Sequence, residues 1–153
     1  MSLLSKKYYI TQVLRTRCGN HRGRIIIAKP LFLLAIIEAI EKGFVQNNAI
    51  YLDNKQIAKL YEDTCKIYEP NYKPSPIILP FYHLSKDSFY NIKWSGKPFK
   101  KSPHAHSPSG KYLRENVEFA HLDSALWDLL QDANVREEFR EQIIDFFIRK
   151  KTD

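Results

Sequence analysis

The sequence predicts an α+β fold in which a small antiparallel sheet or hairpin is surrounded by four to five helices. Three observations predict it. A nearly all-apolar stretch, Leu31 to Ile40, lies between Pro30 and Gly43 and reads as one buried helix. Two β-rich runs, Ile77–Leu84 and Phe89–Trp94, flank Ser85–Ser88 as the arms of a hairpin flank its turn. The last third of the chain carries two capped helical patterns.

In chain order, residues 15–24 (RTRCGNHRGR) make a basic, glycine-containing turn ahead of the buried helix. That helix is expected over Pro30–Lys42: Pro30 suits the first helical position, where its missing N–H costs nothing, and Gly43 suits the residue just past the end. Leu31, Phe32, Leu33, Leu34, Ile36, Ile37 and Ile40 cover nearly every face, which marks it as central. Ala49–Leu52 reads as a short strand. Asp53 or Asn54 then caps a helix through Tyr68, with Ile57, Leu60, Tyr61, Thr64 and Ile67 on one side. Pro70, Pro74 and Pro76 stiffen the connection that follows, and Pro80 inside the first β-rich run marks a bulge or an edge. Ser95–Gly110 exceeds the length of about 12 residues beyond which a structureless loop is usually functional or disordered. Asp123 is expected to cap Ser124–Gln131, and Asp132 a helix from Ala133 to about Lys150. Val135, Phe139, Ile143, Phe146 and Phe147 form its inner stripe, with Arg149, Lys150 and Lys151 at its negative end.

A length of 153 residues suits one domain, expected to span 1–153 with its core at about 8–148. Hydrophobic content of 44% with 27% charged residues excludes a wholly disordered chain. The longest apolar run, Leu31–Ile37, is far short of the ~20 residues a transmembrane helix needs, and it begins too late for a signal peptide. Cys18 and Cys65 match no metal or CxxC spacing and are read as reduced thiols of a cytoplasmic protein. Net charge is +7, and its distribution is more telling than its size. Residues 1–37 hold seven basic side chains and no acid, and residues 88–114 hold six and again no acid. Elsewhere acids outnumber bases. Two acid-free segments build a field that attracts a polyanion, which makes nucleic acid the expected partner class. Neither segment is an amphipathic helix with a wide apolar face, so a membrane surface is disfavoured.

Motifs for catalysis are sparse. His104 and His106 sit two apart in the long loop, but zinc wants three or four ligands and no Cys or carboxylate neighbours them. His83 and Asn91 invite comparison with an HNH-type metal-dependent nuclease, yet no further histidine follows at a suitable spacing. There is no nucleophile elbow, GxGxxG or P-loop, so neither a catalytic residue nor a cofactor is expected. The sharper pattern is basic plus apolar. The turn from Arg15 to Arg24 offers guanidinium and backbone N–H groups to phosphate, and 79–84 (LPFYHL) sets a proline ring and aromatics beside His83.

Taken in order, the basic turn, 29–35 (KPLFLLA), 79–84 with Phe89-Tyr90, and 122–130 (LDSALWDLL) resemble the sulfur-binding domain family. These are the DNA-phosphorothioate recognition modules found beside HNH nuclease domains in type IV, McrA-like restriction enzymes. The resemblance spans about residues 8–148 in the family's order and spacing. It implies helices around a small sheet and binding of duplex DNA carrying sulfur in place of one non-bridging phosphate oxygen, in the Rp configuration. It implies no catalysis by the module and a partnership with an HNH nuclease, whose half is missing from this sequence. Pro80 matches the family's non-polar sulfur cup, with Leu79 where members often carry tyrosine, and with Tyr82 and His83 at its rim. Arg15, Arg17, His21, Arg22, Arg24 and Lys29 fall in the segment that contacts DNA, and Lys100, Lys101, His104, His106 and Lys111 in a variable segment that reaches the duplex. Without the resemblance, binding of unmodified DNA or RNA through the same face, or an HNH-like nuclease, stays open.

Overall fold

The computed structural model describes residues Leu3–Arg149; the basic helix end expected at Lys150 and Lys151 lies outside them. The α+β class holds, with seven helices and two small antiparallel sheets among the described residues. Helix α1 (Leu3–Leu14) precedes a hairpin of β1 (Gly19–His21) and β2 (Arg24–Ile26). The central helix α2 (Ala28–Glu41) and the amphipathic α3 (Lys55–Tyr68) follow, then the short α4 (Ile78–His83) with a 3₁₀ turn at Leu84–Lys86. Strand β3 (Tyr90–Trp94), α5 (Gly110–Asn116), β4 (Val117–Leu122), α6 (Ser124–Leu129) and α7 (Ala133–Ile143) complete the order. α7 runs on through a wider π-type turn, Ile144–Arg149.

The expected central helix is central. Phe32 and Ala35 are fully buried, and α2 packs against α3, α4 and α7. It begins two residues earlier than expected, so Pro30 occupies the third position. The missing N–H still falls in the first turn, and Leu31 makes the first i→i−4 bond, to the Ile27 carbonyl (3.1 Å). Gly43 (φ 77°) closes the helix with Phe44 N–H on the Ala39 carbonyl (2.8 Å) and its own N–H on Ile40 (3.2 Å). This is a Schellman stop, in which the left-handed backbone favours glycine. On α3, Asn54 is the cap, accepting from Gln56 and Ile57 N–H, and Ile57, Leu60, Tyr61 and Thr64 are buried as expected. Ile67 is instead 68% exposed, and Cys65 takes the inner position. Phe146 likewise turns outward from the expected stripe. No disulfide joins Cys18 to Cys65.

The sheet departs from the expected hairpin. Residues 77–84 are not a strand: Pro80 sits in the first turn of α4, where a helix tolerates proline as readily as a strand edge does. β3 pairs instead with β4, with a register shift at Lys93/Trp94, in a stretch to which the sequence assigns no element. The expected strand at Ala49–Leu52 contributes one bridge, Ile50 to Ala120. Asn48 extends that edge, donating to the Leu122 carbonyl (2.7 Å) and accepting Leu122 N–H (2.9 Å). Asp132 caps α7 through Asn134 and Val135 N–H. Asp123 opens α6 without capping it, because its carboxylate accepts from the Tyr9 hydroxyl and the Asn91 amide.

Two tyrosines hold α4 and the segment that leads into it. The Tyr61 hydroxyl donates to the Ser75 carbonyl (2.8 Å) and the fully buried Tyr90 hydroxyl to the Phe81 carbonyl (2.6 Å). Phe32 packs between the rings of Tyr61 and Phe81, at 6.0 and 6.5 Å. Replacing Tyr90→Phe leaves the Phe81 carbonyl without that donor. We expect a loss of about 1–2 kcal/mol, read as a lower urea midpoint at unchanged m-value.

Candidate functional site

A cleft of about 480 Å³ lies between the β1–β2 hairpin and α4. One wall is Leu79, Pro80 and His83; the other is Arg17, Cys18, Gly19 and Asn20, with Lys29 from α2. Lys86, Ser75 and Ser107 rim it. The helical form of α4 is what assembles this wall. Positions i, i+1 and i+4 share a helix face, whereas a strand would turn Pro80 away from Leu79 and His83. The residues expected at the cup are thus brought together by a secondary structure other than the one expected.

Tyr82 is the exception. The same helical turn rotates it off the cleft wall, and its ring packs on Trp94 (6.4 Å) and Phe99 (5.6 Å). Phe99 in turn meets Tyr112 (5.8 Å), whose hydroxyl donates to the Lys97 carbonyl (2.8 Å). Tyr82 therefore anchors the long loop rather than lining the cup.

The opposite wall is a two-residue hairpin. Arg22 (φ 52°) and Gly23 (φ 85°) both take left-handed backbone, the signature of a type I′ turn, and the Asn20 side chain accepts Gly23 N–H (2.9 Å). His21 and Arg22 project exposed at the tip, and Arg15 and Arg17 are exposed at the root. Arg24 is engaged elsewhere. Its guanidinium pairs with Glu69 (3.0 Å) and stacks 3.4 Å from the Tyr72 ring centre, so it anchors the hairpin to the end of α3 rather than facing the cleft. Lys29 reaches the cleft but is paired with Asp87 (3.0 Å), their side chains only 12% and 9% exposed. Asp87 also accepts the Arg17 backbone N–H (3.3 Å).

Sequence segments without acids are not surfaces without acids. Lys6, Lys93 and Arg114 meet Glu138, Glu118 and Asp53 as the chain folds back. No acid pairs with Arg17, Arg22, Lys100, Lys101 or Lys111 among the described residues. Lys100, Lys101, His104, His106 and Lys111 are all exposed along the 95–111 segment.

Electrostatics in the cleft point one way. His83 Nε2 lies 2.6 Å from Ser107 Oγ, and its pKa is lowered from 6.5 to about 4, first by burial and then by Lys86, Lys29 and Lys101. Lys86 is lowered as well, by burial and then by Lys101 and Lys29, with Asp87 opposing. A neutral imidazole thus sits among three ammonium groups with one carboxylate between them. Such a site gains on receiving an anion. Lys86 and Ser107 went unnoticed in the sequence: one lay in the expected turn, the other in a loop with no periodicity.

No three His, Cys, Asp or Glu side chains converge among the described residues, so nothing joins His104 and His106 as a third ligand. Asn91 is bonded to Asp123, while His83 is bonded to Ser107 in the cleft. The chain matches no protein-family model and no curated protein.

Folding holds His83 in its neutral form, so its contribution to stability is complete above about pH 6.5 and is lost as pH falls toward 4. The slope in that window is at most about 1.4 kcal/mol per pH unit for one proton. Denaturant titrations at a series of pH values should show a flatter slope for His83→Gln than for the wild type.

Proposed function

We propose that the chain is a recognition module for phosphorothioated (Rp) duplex DNA, seating the sulfur against Leu79 and Pro80 while neighbouring phosphates meet Arg17, Lys86 and Lys101. The observation that carries this reading is the shared cleft: an apolar proline–leucine wall faces a basic hairpin across one cavity. A phosphorothioate keeps its charge, so cations attract it much as they attract phosphate. Its sulfur is larger and less well hydrated than oxygen. Burying a few tens of Å² of it on Pro80 and Leu79 yields about 1 kcal/mol. An oxygen at the same place loses water bonds without replacement, at about 1–3 kcal/mol. Together these give a preference of roughly ten- to several-hundred-fold, at ~1.4 kcal/mol per tenfold. Leu79 in place of tyrosine keeps the wall apolar. The exposed tip residues His21 and Arg22, with Arg15 and the 95–111 segment, extend the basic face along the duplex. The module itself carries no reaction and no cofactor in this reading; it acts in the cytoplasm, in restriction, with cleavage supplied by an HNH nuclease domain or partner.

Fluorescence anisotropy with three duplexes of one sequence (unmodified, Rp and Sp) tests this directly. Charge is equal in all three, so a basic face alone predicts equal affinities. We expect Rp to bind about tenfold tighter or more. Pro80→Ser should collapse that preference and leave the background binding. Affinity for every duplex should fall with salt at a log–log slope of roughly −4 to −5, about −0.9 per phosphate neutralised. Equal binding of the three duplexes across several core sequences, with the slope retained, would replace this reading with a binder of unmodified nucleic acid.

A further inference from the structure

His83 is the one titratable side chain on the apolar wall of the cleft. It shares a helix face with Leu79 and Pro80, and its Nε2 contacts Ser107 Oγ at 2.6 Å across to the long loop. The charged groups around it come from every side: Lys86 from the 3₁₀ turn, Lys29 from α2, Lys101 from the loop and Arg17 from the root of the hairpin. The nearby carboxylate, Asp87, is already engaged by Lys29 and by the Arg17 N–H. We infer that His83 is the selectivity gate of the cleft: as neutral imidazole it completes a wall that only sulfur tolerates, and as imidazolium it donates to either sulfur or oxygen, so the module binds more tightly and discriminates less as pH falls. This rests on the sulfur reading above and adds the residue that regulates it.

The physics follows from the wall's composition. The imidazole bonded to Ser107 lies on the cleft wall, and the Tyr82 ring packs T-shaped against it with centroids 5.0 Å apart. With Nε2–H given to Ser107, the neutral ring offers a ligand oxygen no second N–H to replace its lost water. Protonation supplies a charge-assisted donor at the same place, and an oxygen accepts it at least as well as sulfur does. In the free protein burial, and then the surrounding ammonium groups, keep the proton off to about pH 4. A bound backbone anion cancels that repulsion, so binding raises the affinity of His83 for a proton and takes one up from solution. The gate therefore operates between the free and bound midpoints, in mildly acidic solution.

The test is the Rp-to-unmodified affinity ratio, measured by anisotropy between about pH 8 and about pH 5.5. It is run on the full chain and on His83→Gln, whose amide keeps a partner for Ser107 but cannot titrate. We expect the wild-type ratio to shrink about fivefold or more on acidification, chiefly because unmodified duplex gains affinity, by no more than about tenfold per pH unit for one proton. The ratio of His83→Gln should stay flat. A wild-type ratio that does not change with pH overturns the gate while leaving the sulfur reading standing. So does an equal fall in the variant, which would pass the effect to His21, His104 or His106. A ratio of one at every pH overturns the sulfur reading and the gate with it. A measurement that needs no variant stands beside these: the NMR titration midpoint of the His83 ring should rise on adding duplex, and a midpoint unmoved by duplex overturns the gate.

Discussion

The carboxylate of Asp87 ties together the three chain segments on which the cleft depends. It accepts from the Lys29 ammonium at 3.0 Å and from the Arg17 backbone N–H at 3.3 Å. Those partners lie 58 and 70 residues away in sequence, one in the first turn of α2 and one at the root of the hairpin. Asp87 itself follows the 3₁₀ turn that ends α4. A nearly buried ion pair is poor evidence of net stability, since desolvation offsets much of its attraction. Its geometric consequence is firmer: breaking it leaves an uncompensated charge, so the hairpin and the α4 wall are held at one spacing. Without that spacing, Pro80 and Arg17 are two surface features rather than opposite sides of one cavity.

What remains in the cavity is unbalanced charge. Away from the cavity several cations are answered, Arg24 by Glu69 and the Tyr72 ring, Arg140 by Glu41 and Glu137. Around His83 three lysines share one carboxylate, and both His83 and Lys86 hold their protons less readily than usual. That repulsion is tolerated because α4 is fixed by the Tyr90 hydroxyl and by Phe81 on Phe32, and the segment leading into it by the Tyr61 hydroxyl on Ser75. An anion relieves it. The apolar wall then decides which anion, because a group that needs water bonds cannot find them on proline and leucine.

The central helix is readable because its burial is nearly continuous: nine apolar or small residues lie between Pro30 and Gly43, interrupted only by Glu38 before the closing Glu41-Lys42. Asn54 and Asp132 were readable as caps because their short side chains bond the first turn of the helix that follows. The segment 77–84 was misread for a physical reason. A short apolar run that follows Pro76 and contains Pro80 satisfies a strand and a short helix equally, and the packing on Phe32 and the hydroxyl of Tyr90 select the helix. β4 was missed because its pairing with β3 and Ile50 is wholly non-local. At the site, the resemblance names Pro80, Leu79 and His83 for the cup and Arg17 and Lys29 for the DNA-facing segment, and all five line one cleft. Tyr82 and Arg24 lie off the cleft, because sequence adjacency says nothing of which way a helical turn or a hairpin strand points a side chain. Lys86 and Ser107 became visible only once the loop lay against α4.

The central claim is that the hairpin root and the α4 wall form one anion-binding cleft. Backbone and side-chain chemical-shift mapping on titration with a short Rp duplex tests it most directly. The account predicts the largest shifts at Cys18–Asn20, Leu79, His83, Lys86 and Ser107 together, saturating at one common affinity. Shifts confined to Lys111 and the β4 face, or to the Arg24–Tyr72 contact, with the cleft residues unmoved at saturation, would contradict it.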